Sequence, residues 1–249
     1  MTVHSELSDW LDNLIAGRIA AGARVVAALR AAGADAALLV GPLGERRGDA
    51  FSDLDLLIVT GHGYASIDMI GLFGRQLLAQ IAAQPGAPKG GSHIGVCLDV
   101  ADVVLWLDLV QWPTATAAIP ADSLILYAHL DLPYSPLSYR RLLDHHPHPA
   151  AAIHPPTAAT ELRRIADAAK HLARGNPRHI ADQIPQAAGL PLHQIRPLLH
   201  QRLAEIDQPS LVRAIAGTAA LVDLADMTRT ARPARTIRIP ATRDRKSNT

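Results

Sequence analysis

The sequence predicts an α+β fold, with a small mixed β-sheet and flanking helices followed by an α-helical bundle. Three observations predict it. Up to residue 130, short apolar runs of strand length alternate with stretches of helical period. Residues 131–156 then hold Pro133, Pro136, Pro147, Pro149, Pro155 and Pro156, a density that opposes continuous helix or sheet. From residue 157 to residue 230 the apolar spacing is helical almost throughout.

The elements follow in order. Leu7, Leu11, Leu14, Ile15, Ile19, Val26 and Leu29 recur at helical spacing across residues 6–32, and Gly33 ends the run. Ala36 to Val40 is a short apolar strand, followed by a loop from Gly41 to Asp49. Leu54 to Thr60 is a second strand, Ser66 to Ala83 reads as a helix, and Pro85 to Ser92 as a loop. Ile94 to Leu98 and Val103 to Val110 read as strands joined by a short turn, with Ser123 to His129 a further strand. Thr157–Arg174, Pro177–Ala188, Leu192–Ile206 and Ser210–Met227 give four helices. The expected organisation is a sheet domain over 1–130, a Pro/His-rich linker over 131–156, a helical bundle over 157–230 and a mobile basic tail over 231–249.

Composition narrows the function. The chain has 249 residues, a formal charge of +1, 49% apolar residues and 4% aromatics. That is too apolar for a disordered protein and too neutral for a nucleic-acid coat. A single cysteine, Cys97, excludes a disulfide scaffold. No apolar run is long enough to span a membrane, and Met1 to Trp10 lacks a basic signal-peptide start, so the cytoplasm is the expected compartment. The neutral total conceals a division. Residues 1–130 carry 13 acids and 7 bases, whereas residues 231–249 carry one acid and six bases.

The stretch that carries chemistry runs from Leu38 to Val59. Asp53 and Asp55 stand two residues apart at the start of an apolar strand, so strand period puts both on one face. Adjacent carboxylates repel unless a cation lies between them, and hard oxygen ligands suit Mg²⁺. Alone, such a pair reads better as a solvent-facing strand entry. Gly41 ends the preceding strand twelve residues before Asp53, where bare backbone can approach a phosphate. Asp108 sits inside Val103–Val110, a costly position unless it is paired or metal-bound.

Gly41, Ser52-Asp53-Leu54-Asp55-Leu56 and Leu107-Asp108-Leu109 resemble, in order and spacing, the motifs of the nucleotidyltransferase superfamily with the polymerase-beta-like fold. The resemblance implies transfer of NMP, AMP above all, from ATP or another NTP to a hydroxyl of a small molecule such as an aminoglycoside-like antibiotic. It implies two Mg²⁺ ions on Asp53, Asp55 and Asp108, with Gly41 and Ser52 beside the nucleotide. The family's Ser after the Gly is Pro42 here, which removes a hydroxyl and an amide from the triphosphate site. A catalytically impaired nucleotide-binding homologue therefore stands as an alternative, as does adenylylation of a partner protein in the manner of antitoxin-like relatives. Lys170 to Asn176 resembles the Lys-x-x-x-Arg-Gly-Asp/Asn segment in the helical domain of kanamycin- and lincosamide-modifying enzymes. Lys170 is thus either a triphosphate contact or a solvated lysine. Arg174 and Gly175 read as an ordinary helix terminus.

Other residues have plainer readings. Arg46 and Arg47 can touch a β- or γ-phosphate or form an exposed basic loop. Asp99 or Asp102 can serve as general base or simply flank a turn. Trp106 shares the parity of Asp108 and can stack on a base or lie in the core, as can Trp112. Cys97 reads as a small buried apolar residue. His129, His145, His146, His148 and His154 lack zinc-site spacing and read as a solvated linker. The acidic front half disfavours nucleic acid as acceptor. The sequence leaves the oligomeric state open.

Overall fold

The computed structural model describes residues 3–61, 76–82, 86–100, 102–145 and 157–231. The elements are α1 (Val3–Ala31), β1 (Ala36–Val40), the single turn α2 (Gly41–Gly44), β2 (Leu54–Thr60), β3 (Gln76–Ala82), β4 (Ser92–Val100), β5 (Val103–Pro113) and β6 (Leu124–Ala128). They continue with α3 (Tyr139–His145), α4 (Ala158–Ala173), α5 (Pro177–Gln183), α6 (Leu192–Ala204) and α7 (Val212–Ala231). The expected α+β class holds. The six strands form one mixed sheet in the order β3-β4-β5-β2-β1-β6, in which only β2 and β5 run parallel.

Two expectations change. Gln76–Ala82 is a strand, where the sequence predicts the end of a helix; Ser66 to Arg75 lies outside the described residues. Its backbone pairs antiparallel with β4, from Gln76 opposite Leu98 to Ala82 opposite His93. The ladder outweighs the helix propensity of Leu, Ala and Gln, which is high in rank but amounts to only a few tenths of a kcal/mol per residue. The Pro/His-rich stretch contains α3, because Pro136 and Pro147 leave an unbroken interval between them. Ser138 Oγ accepts from Arg141 N–H at 3.2 Å, and Asp122 Oδ1 accepts from Tyr139 N–H at 2.7 Å. Helix α3 sends Tyr139, Leu142 and Leu143 onto the sheet beside Trp112. His146, His148 and His154 lie outside the described residues; His129 gives its backbone N–H to Asp35 O, and His145 ends α3.

Strand β5 shows how the layers are built. Its odd residues Leu105, Leu107 and Leu109 pack in a cluster with Ala21, Val25 and Leu29 of α1. Its even residues face the other way. Val104 and Trp106 join the core made with α4, α6 and α7. Val110 and Trp112 join the cluster under α3. Asp108 therefore falls in the interval between two apolar packings on the same sheet face. Helix α7 lies tight on the sheet, since a Cβ at Gly217 would come within 2.9 Å of Val104 Cγ1. One continuous core thus joins the C-terminal helices to the sheet. No helix of the described residues is long and apolar enough to cross a membrane.

Candidate functional site

The parallel pairing of β2 with β5 sets Asp55 opposite Asp108. On the outer side of each, Val40 pairs with Asp55 and Gly95 with Asp108. A row of two carboxylates thus crosses the sheet, bounded by the end of β1 and by a residue without a side chain. Gly41 has φ +65°, and a Cβ there would lie 2.2 Å from Asp55 Oδ2. Only glycine allows β1 to end against this carboxylate. Pro42 occupies the start of the α2 turn, where its missing N–H costs no helical hydrogen bond. The residue that departs from the nucleotidyltransferase pattern is therefore well suited to its backbone position.

Asp53 precedes β2 and is held by a tight turn. Asp49 Oδ1 accepts from Phe51 N–H at 2.9 Å and from Ser52 Oγ at 3.1 Å, while Ser52 Oγ accepts from Asp49 N–H at 2.9 Å. Ser52 is buried, with its hydroxyl committed to this turn. Arg18 of α1 reaches under the turn, donating to Asp49 O and Ala50 O. Arg174 closes it from the other side, with Nε and Nη2 on Asp49 at 2.7 and 2.8 Å. Burial opposes the ionised forms, yet this fork keeps the Asp49 carboxyl below its ordinary range and the guanidinium above its own.

Helix α4 supplies the cations. Arg163, Asp167, Lys170 and Arg174 recur at helical spacing and so share one face. Thr157 caps the helix, accepting from Thr160 N–H at 3.2 Å, and Gly175 at φ +65° ends it. Lys170 Nζ donates to both Asp53 oxygens, at 2.6 and 2.7 Å, and to Asp167 Oδ1 at 2.7 Å. Its side chain is only 8% exposed, so Lys170 does not lie on a solvated face. Arg163 gives Nη1 and Nη2 to Asp108 at 3.1 and 2.6 Å, Nη2 to Asp53 at 3.3 Å and Nε to Asp167 at 3.4 Å. The guanidinium also sits 4.7 Å above the Trp106 ring. On the sheet side, Asp108 Oδ1 lies 2.8 Å from His93 Nε2.

The three predicted metal ligands thus have unequal surroundings. For Asp108 burial favours the neutral form, but His93 and Arg163 outweigh it and hold the carboxyl well below the usual range. Burial raises the Asp53 carboxyl, and Lys170 and Arg163 pull it back. Asp55 has no hydrogen bond or ion pair among the described residues. Burial, then the charges of Asp108 and Asp53, push its carboxyl well above the usual range. Asp55 is the carboxylate whose surroundings call for a cation, and its neighbours are hard oxygens, as Mg²⁺ requires. Against that, Arg163 and Lys170 already stand on the other two. Among the described residues no three His, Cys, Asp or Glu side chains are arranged together to hold a metal ion.

The remaining candidates lie elsewhere. Arg46, at φ +58°, lines an open groove with Arg47, Asp122, Ser123 and Arg140, and makes no contact with the carboxylates. Trp106 is buried beneath Arg163, and Trp112 packs on Tyr139. Asp99 pairs with Arg213 of α7 at 2.7 Å, and Asp102 occupies a left-handed turn position. Burial pushes the Cys97 thiol up to about 12, in keeping with an inert core residue. The sequence reading missed His93, Arg163 and Asp167. The i, i+4, i+7, i+11 run of charge on α4 is the one trace of Arg163 and Asp167 in the sequence, and because the charged stripe of an amphipathic helix ordinarily faces water, spacing alone does not reveal the pairing. Comparison of the sequence with protein-family models and with curated proteins finds no match.

Proposed function

We propose that the chain is a metal-dependent nucleotidyltransferase that moves an NMP group from an NTP, ATP in the first instance, to a hydroxyl of a small molecule. The observation that carries this reading is the parallel register of Asp55 with Asp108, with Gly41 against Asp55 and Asp53 two residues before it. In the transfer, the acceptor oxygen bonds to the α-phosphorus, the bond to the β-phosphate breaks, pyrophosphate leaves and one proton is released. Asp55, Asp108 and Asp53 are the residues that would hold Mg²⁺, which when bound supplies Lewis-acid stabilisation of charge developing on the phosphoryl oxygens. The chain's own cations complement it. Arg163 and Lys170 are fixed on a helix beside the carboxylates; the three Lys170 N–H groups are taken by Asp53 and Asp167, so Arg163, with one Nη1 N–H to spare, is the one suited to a polyphosphate that enters beside them. Arg18 and Arg174 keep the Asp49–Ser52 turn rigid, which fixes the position of Asp53.

The test is incubation with ATP, Mg²⁺ and a panel of hydroxylated acceptors, aminoglycosides included, with pyrophosphate as readout. Acceptor-dependent release that Asp108→Asn abolishes is the expected result. No release with any acceptor counts against transfer. A second reading, a nucleotide-binding homologue without turnover, is favoured by the Arg163 guanidinium on Asp108 and by Pro42. Calorimetric binding of Mg²⁺-ATP with no pyrophosphate released would select it.

A further inference from the structure

We infer that this chain works with a single divalent ion, the Lys170 ammonium standing on Asp53 in place of the second ion of a two-ion arrangement. The inference rests on the metal-dependent reading above and refines it.

The argument is one of donor capacity. A carboxylate offers about four lone-pair sites. Asp53 uses three, two for Lys170 and one for Arg163. Asp108 uses three, two for Arg163 and one for His93. Asp55 uses none. The free capacity is therefore centred on Asp55, with one further site on Asp108, its partner across the pairing of β2 with β5. That serves one octahedral ion completed by water and phosphate oxygens. A second ion bridging Asp53 and Asp108 would have to displace Lys170 or Arg163.

Displacement is opposed by the way the cations are held. Asp167, on the same helix, braces both, at 2.7 Å to Lys170 and 3.4 Å to Arg163. The Lys170 side chain has almost no access to water, so an ammonium driven from Asp53 would stay buried. Trp106 covers one side of Arg163. Fixed side chains also meet most of the demand for positive charge. Asp49, Asp53, Asp55, Asp108 and Asp167 face Arg18, Arg163, Lys170 and Arg174, which leaves one negative charge in excess before His93, on Asp108, is counted.

The full-length protein is titrated with MnCl₂ alone, free Mn²⁺ being read by electron paramagnetic resonance. Crystals with MnCl₂ and α,β-methylene-ATP are then examined at the manganese absorption edge. One anomalous peak, beside Asp55 and Asp108, is expected in the wild type. Asp55→Asn should weaken Mn²⁺ binding about tenfold or more, since even outer-shell changes reach that size. Lys170→Ala should gain a second ion at Asp53; a single ion in that variant counts against the substitution by Lys170. Two peaks in the wild type overturn the single-ion inference and leave the proposed transfer standing. No ion beside the carboxylates when the nucleotide is bound overturns the metal-dependent reading, and this inference with it. Should Lys170→Ala fail to fold, the wild-type count and Asp55→Asn decide.

Discussion

The same conservative change made two residues apart should have opposite effects on stability. In the metal-free protein, Asp55→Asn removes a carboxylate that has no partner among the described residues and stands beside Asp108 and Asp53. The amide that replaces it can donate to either neighbour. Relieving one unsatisfied, partly desolvated charged group is worth about 1–3 kcal/mol. For a chain of this size that corresponds to a rise in Tm of about 2–12 °C. Asp53→Asn does the reverse. It leaves Lys170 buried with Asp167 alone, and Arg163 without its Asp53 contact, at a cost of about 3 kcal/mol.

The pH dependence sharpens the contrast. The folded-state pKa of Asp55 is raised, so its contribution is fully present below the unfolded value and is lost as pH rises through the folded one. The gain from Asp55→Asn should therefore be small in acid, where the wild-type carboxyl is neutral, and should grow toward neutral pH. Urea unfolding between pH 4.5 and 8, with chelator present, measures it. Loss of stability in Asp55→Asn at pH 7.5, or a gain that does not change with pH, would refute the view that Asp55 is an uncompensated charge. A stabilised variant that cannot bind metal would also be the expected trade between stability and activity.

Other expectations follow from the same geometry. Gly41→Ala places a methyl at a positive φ against Asp55 Oδ2, and should cost about 1–3 kcal/mol and displace that carboxylate; circular dichroism melts and Mn²⁺ titration read the two effects. Arg174→Met removes the fork on Asp49 and should cost about 1.5–3 kcal/mol at neutral pH. Because the Asp49 carboxyl is depressed, that difference is present above the ordinary carboxylate range and fades as acid titrates Asp49, which a pH series of urea midpoints checks. Trp106→Phe keeps a ring under Arg163 and removes a buried indole N–H that has no partner among the described residues. The smaller ring leaves a void in the core, so the net cost should be about 0.5–3 kcal/mol, whereas Trp106→Leu loses the cation–π contact as well and should cost more.

The strands and the candidate residues were legible to different degrees. Residues 56–59 form an unbroken apolar run after the Asp-Leu-Asp start, and β2 spans Leu54–Thr60 as that pattern predicts. The C-terminal helices likewise lie within a few residues of their periodicity. Gln76–Ala82 was misread because Gln, Leu and Ala suit a helix, and only pairing with β4 makes the residues a strand. Gly41 was picked out as an approach point for phosphate; what the fold adds is that its bare Cα abuts Asp55.

The sequence by itself determined that Asp53 and Asp55 stand two residues apart at the start of one strand and that Asp108 lies inside another, because strand period depends only on neighbours along the chain. It also placed Lys170 on a helix. Only the tertiary structure decided who neutralises whom. Lys170 meets Asp53 across 117 residues, and Arg163 meets Asp108 across 55. Such pairings arise from how α4 packs on the sheet, and no local spacing encodes them. The same packing left Asp55 without a side-chain partner among the described residues, and so turned three aspartates of one type into three different chemical environments.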